Sequence, residues 1–167
     1  RQSPEDFLPT MTRLLGEAGV CFVVVPAIPR AKVSGIARWI SPTKAVIQLS
    51  LYGKSNDKFW FTFFHEAAHI LLHADKREDK KSIFLDEFNG DDSTNTQEHE
   101  ANTWAANFLI PEEYHSELRL LDSENDIVDF AERLTIHPGI VIGRLQHEKI
   151  KPFSYCNHLK ETFNVQN

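Results

Sequence analysis

The chain is short of the residues that several function classes require. Only two of its 167 residues are cysteine, Cys21 and Cys156, and they form no CxxC pair. Two distant thiols make no disulfide scaffold and point to a reducing, cytoplasmic compartment. Basic charge is also scarce: 18 Lys and Arg stand against 24 Asp and Glu, a net charge of −6. A net acidic chain is a poor bulk binder of nucleic acid, so no direct nucleic-acid contact is expected of it. No apolar run approaches the roughly 20 residues that cross a bilayer, which sets aside a membrane role. Methionine occurs once, at Met11, and Arg1 stands first; we therefore expect a fragment of a longer chain with a domain upstream. What remains, 41% hydrophobic and 25% charged, is the material of one globular domain with a core.

Local patterns divide the chain. Pro4 to Gly16 sets Phe7, Leu8, Met11, Leu14 and Leu15 at helical spacing, with Ser3 as N-cap and Pro4 in the first helical position. Val20 to Pro26, VCFVVVP, reads as a buried strand. Gly35–Ser41 and Lys44–Ser50 are β-prone runs around SPTK, which suits a tight turn between antiparallel strands. Asp75 to Thr96 is charged and, from Asn89, turn-rich; it reads as a long surface loop with a short ordered piece around Ile83 to Phe88. Its DEFNGDD has the acidity of a calcium loop but not the ligand order of an EF-hand. Helices are expected from Gln97 to Ile110, from Pro111 through Arg119, from Asn125 to Leu134, and from Pro138. A helix, a small sheet and then helices make an α+β class, one domain over residues 1–167.

The chemistry gathers in Phe59–His73, FWFTFFHEAAHILLH. His65-Glu66-Ala67-Ala68-His69 is an HExxH motif. On a helix, residues i and i+4 differ by about 40° in direction and 6 Å in rise, so both imidazoles reach one cation. Glu66 then stands beside a water on that cation as general base without being a ligand. Aromatic residues before the motif and Ile70, Leu71 and Leu72 after it predict a largely buried helix, where ionisable groups without partners are costly. A zinc hydrolase also needs a third protein ligand and an open fourth position. His73 lies about 12 Å along the helix from His65, too far to share a small ion, and is expected as a satisfied, partly buried histidine.

QEHEANTWAANFLIP supplies a better third ligand. Glu98, Ala101, Asn102, Ala105, Phe108 and Leu109 share one helical face, and Glu100 points about 200° away from Glu98. If that face meets the HEAAH helix, Glu98 is the inward carboxylate. Asn102, one turn on, can accept a hydrogen bond from the outer nitrogen of His65 or His69, the support that metal-bound histidines usually have. Ala101 and Ala105 permit close approach.

These two motifs, FTFFHEAAHILLH and EHEANTWAANFLIP, together with IHPGIVIGRLQHE near the end, resemble the ImmA/IrrE family of metallopeptidases. Trp104 stands where that family commonly has phenylalanine. The resemblance spans roughly Pro4 to Lys160. It implies a zincin-like fold, a small antiparallel or mixed sheet against the HExxH helix with a mostly helical second half. It implies Zn2+ on His65, His69 and Glu98, with Glu66 as base and Asn102 behind the ligands. It also implies a partner: a helix-turn-helix (XRE-type) repressor, as protein substrate or as a fused upstream domain, in a bacterial stress-response, mobile-element or toxin–antitoxin setting. A toxin is a further partner in the last case.

As a peptidase, the chain would hold its substrate extended along the edge of the strand Lys44–Ser50. Tyr52, His99, Tyr114 and His115 are the candidates for stabilising the oxyanion. Phe130–Glu148 has the rhythm of a helix-turn-helix, but Ile140, Val141 and Ile142 sit where a reading helix carries polar residues. That segment is expected to pack in the core or meet a partner. The rival to the enzyme is a non-catalytic, metal-binding sensor or scaffold that controls an attached repressor or antitoxin.

Overall fold

The computed structural model describes residues 4–26, 33–50, 55–73, 84–87 and 96–163. Helix α1, Pro4–Glu17, leads into strand β1, Val20–Val25, through Gly19. That glycine has φ +81°, and a Cβ there would fall 2.7 Å from the Thr43 carbonyl oxygen, so only glycine suits the turn. Strands β2, Val33–Ser41, and β3, Lys44–Ser50, follow as an antiparallel pair around Pro42 and Thr43. Helix α2, Asn56–Leu72, carries HExxH. A short strand β4, Phe84–Glu87, precedes helix α3, Thr96–Leu109. The second half is helical: a 3-10 turn at Glu112–Tyr114, α4 at His115–Leu118, α5 at Glu124–Arg133 and α6 at Pro138–His147. This is an α+β fold. No helix among the described residues is long and apolar enough to cross a membrane.

The sheet order is β1-β3-β2-β4, and it corrects two expectations. Val20–Val25 is an edge strand, parallel to β3, with Cys21 and Val23 exposed and only Phe22 buried. Lys44–Ser50 is central, hydrogen-bonded to β1 on one side and β2 on the other. It therefore has no free edge for a peptide. The edge flanking β2 is β4, which pairs Val33 with Glu87 and Ile36 with Leu85. The ordered piece expected near Ile83 to Phe88 is this strand. The proposed cap Ser3, and residues 75–83 and 88–95 of the expected loop, with all of DEFNGDD after Glu87, lie outside the described residues.

Alternation decides which face of the sheet is buried. Along β3, Ala45, Ile47 and Leu49 are buried and the residues between them less so, the period of a half-buried strand. Opposite them on β2 stand Trp39, Ala37 and Gly35. The small pair lets α2 lie close, and the resulting core takes in Phe7, Phe22, Phe59 and Phe63. A second core, around Leu118, Ile127, Phe130, Ile142 and Leu145, joins α4, α5 and α6. Ser123 and Asp126 close a reciprocal capping box at the start of α5. Pro138, Gly139, Ile140, Val141 and Ile142 of α6 are buried. The helix-turn-helix rhythm is thus spent on packing, as the sequence predicts.

The start of α2 is held by the end of the described chain. The Asn56 N–H donates to the Glu161 carbonyl at 2.8 Å. Asn56 Nδ2 meets His137 Nδ1 at 2.7 Å. Lys160 Nζ lies 2.6 Å from Asp57 Oδ2 and 2.8 Å from Gln146 Oε1. Asp57 is buried, so Lys160→Met leaves its carboxylate without the cation. The expected loss is about 3 kcal/mol of stability, read as a lower urea midpoint with the slope unchanged.

Candidate metal centre

Helix α2 is the middle of the molecule, touching β2 and β3 on one side and α3 and α6 on the others. Buried positions run along it from Asn56 to Ile70, while Leu71 and Leu72, expected inside, are exposed. His65, Glu66 and His69 have relative exposures of 2%, 0% and 1%. Three ionisable groups with so little water must find their partners in the protein.

For the two histidines, helix α3 provides them. Its Ala101 and Ala105 are fully buried, which brings the two helices close. Phe108, placed on the same face from spacing alone, is instead half exposed and stacks on Trp104 at 5.0 Å between ring centroids. Glu98 sits at the amino end of α3, where the helix dipole favours an anion. Its two oxygens lie 3.2 Å from His65 Nε2 and 3.3 Å from His69 Nε2. The two Nε2 atoms are 3.0 Å apart. Glu98 is held at about 2, first by the hydrogen bonds from His65 and His69, against its partial burial. The His69 imidazolium is disfavoured chiefly by burial, which outweighs the hydrogen bond to Glu98. Ionised carboxylate and neutral imidazole are the states that bind a cation.

The spacing fits one small ion. Donors about 2.1 Å from a tetrahedral centre stand about 3.4 Å from one another. Each imidazole nitrogen stands close to that separation from the other and from one Glu98 oxygen, and one ligand atom from each of the three residues lies within 4.8 Å of the others. Two imidazoles and one carboxylate also match the protein share of a catalytic zinc site.

Each ring is held from behind. His65 Nδ1 is 2.9 Å from Asn102 Oδ1, the contact that the spacing of α3 predicts. His69 Nδ1 is 3.1 Å from His73 Nδ1, and His73 Nε2 is 3.0 Å from Glu100 Oε2. His73 is buried and is not one of the three residues whose ligand atoms converge, consistent with its spacing. Its pairing with Glu100 does not follow from the spacing of either helix alone. The available signal was His73 at i+4 from His69, with an acid two residues past Glu98.

Gly35 of β2 lies under Glu66. A Cβ at that position would land on Glu66 Oε1 and 2.8 Å from Thr62 Cγ2. The carboxylate therefore occupies the space that a side chain on β2 would take. Of the oxyanion candidates, His99 is exposed on α3. Tyr114 packs on Phe130 at 6.1 Å between centroids. His115 Nε2 meets Arg144 at 3.1 Å. None of the three is paired with the His65–His69–Glu98 group, and Tyr52 lies outside the described residues.

The family model described as the IrrE N-terminal-like domain, a peptidase family, matches residues 27–146. The chain belongs to that family. The match takes in α2, α3 and all but the last residue of α6, so the group that can hold a metal lies inside a metallopeptidase-type domain. No curated protein matches the chain.

Asn102→Ala removes the acceptor behind His65. We expect metal affinity to fall about 10- to 100-fold, measured by chelator competition, with the apo melting temperature little changed because Asn102 is only half-buried.

Proposed function

We propose that this domain is a zinc-dependent endopeptidase that cuts a helix-turn-helix (XRE-type) transcriptional repressor. The observation that carries the reading is the convergence of His65 Nε2, His69 Nε2 and the Glu98 carboxylate, within a peptidase family domain. The repressor as substrate rests on the likeness of the two motifs to ImmA/IrrE metallopeptidases.

Zinc held by His65, His69 and Glu98 supplies Lewis acidity to a water and to the scissile carbonyl. The chain's own groups do the rest. Glu66 accepts the proton of the attacking water and returns it to the leaving amine nitrogen. Asn102 keeps His65 turned with Nε2 inward. Strand β4 offers an extended peptide an edge next to β2, whose Gly35 lies under Glu66. Pairing there would set the peptide by main-chain hydrogen bonds, with side chains alternating toward and away from the site.

A second reading draws on the full burial of Glu66: a metal-dependent module that regulates an attached repressor or antitoxin without turnover. One substitution separates the two. Glu66→Gln should keep its zinc and lose cleavage by at least about 10²-fold, scored by mass spectrometry on the repressor encoded beside the protein or fused to it. A variant that binds zinc and regulates like the wild type, with no cut product from either, would favour the module. Removal of zinc by a chelator should abolish the cut, and zinc should restore it.

A further inference from the structure

We infer that His73 and Glu100 are positioning residues for the metal group, forming a relay behind His69 that selects its tautomer and fixes its ring. The inference rests on the reading of His65, His69 and Glu98 as metal ligands.

The hydrogen-bond chain admits few proton placements. His69 presents Nε2 to Glu98 and to His65 Nε2, so that nitrogen must offer a lone pair when a cation is bound. Its proton then sits on Nδ1. His73 Nδ1, 3.1 Å away, can only accept it. A neutral His73 accepting at Nδ1 carries its own proton on Nε2. That nitrogen faces Glu100 Oε2 at 3.0 Å, an atom that accepts. Each donor in the series therefore points one way, from ligand to carboxylate. A carboxylate at the far end of such a series raises the electron density that the ligand offers and holds its ring orientation.

The two ligand rings are held differently. His65 leans on a single amide, Asn102. His69 leans on a buried imidazole backed by an anion, and the side chain of that anion is 53% exposed. A change at the surface of α3 thus reaches the buried ligand through one intermediate ring. In this series Glu100 reaches the metal group through His73 and then His69.

The test is zinc affinity by chelator competition, with the visible spectrum of the cobalt-substituted protein as a second readout. Glu100→Ala should weaken zinc binding about tenfold and His73→Leu up to about 100-fold. The cobalt band should shift in both. Glu100→Ala should add nothing in the His73→Leu background, because Glu100 acts only through His73. Glu100→Gln, which still accepts from the His73 N–H, should recover most of the lost affinity. Glu100 is half-exposed, so its variants decide the matter even if His73→Leu does not fold. Wild-type affinity and an unshifted cobalt band in Glu100→Ala overturn the inference alone, as do fully additive losses in the double variant. Wild-type protein that takes up neither metal overturns the metal reading, and this inference with it.

Discussion

Everything at this centre depends on placing three ionisable groups inside a protein. His65, Glu66 and His69 lie on one buried helix, and their desolvation costs several kcal/mol unless it is offset by partners. For the two histidines the offset comes from outside the helix. Glu98, Asn102 and Glu100 all belong to α3, and two buried alanines let α3 come near enough to deliver them. The close crossing of α2 and α3 is thus a condition for the fold to tolerate its own sequence. The capacity to hold a cation arises from the same arrangement.

The sheet and the C-terminal helices serve that crossing. Gly35 and Ala37 on β2 leave room under α2. On the far side, Gly139 and Gly143 of α6 lie against Asn56 and Asp57, where a Cβ would fall 2.6 Å from a side-chain oxygen in each case. The C-terminal segment adds Lys160 and Glu161 to the same end. Fixing α2 so firmly limits the entropy still to be lost when a metal or substrate engages it.

The parts legible in the sequence are those that depend on period alone. Spacing along one helix puts His65 and His69 side by side and turns Glu98 and Asn102 inward on another, and the structure brings these side chains together. The antiparallel pair β2 and β3 follows from two β-prone runs and a turn. What period cannot say is who the neighbours are. VCFVVVP has the composition of an interior strand, but it lies at the edge because β1 joins β3 in parallel rather than adding to β2. The strand at Phe84–Glu87 sits in a charged stretch, where its local signal is weak. The pairing of His73 with Glu100 depends on where two helices cross, which neither helix encodes by itself.

The glycines that seat α2 also fix how the centre can move. A helix pressed against backbone at Gly35 on one side and at Gly139 and Gly143 on another has no slack in which to roll or slide. The two histidines therefore behave as the stator of the device. Helix α3 meets them through buried alanines and hydrogen-bonded side chains. Whatever cation the group takes in must therefore fit the separation that this seating sets between α2 and α3.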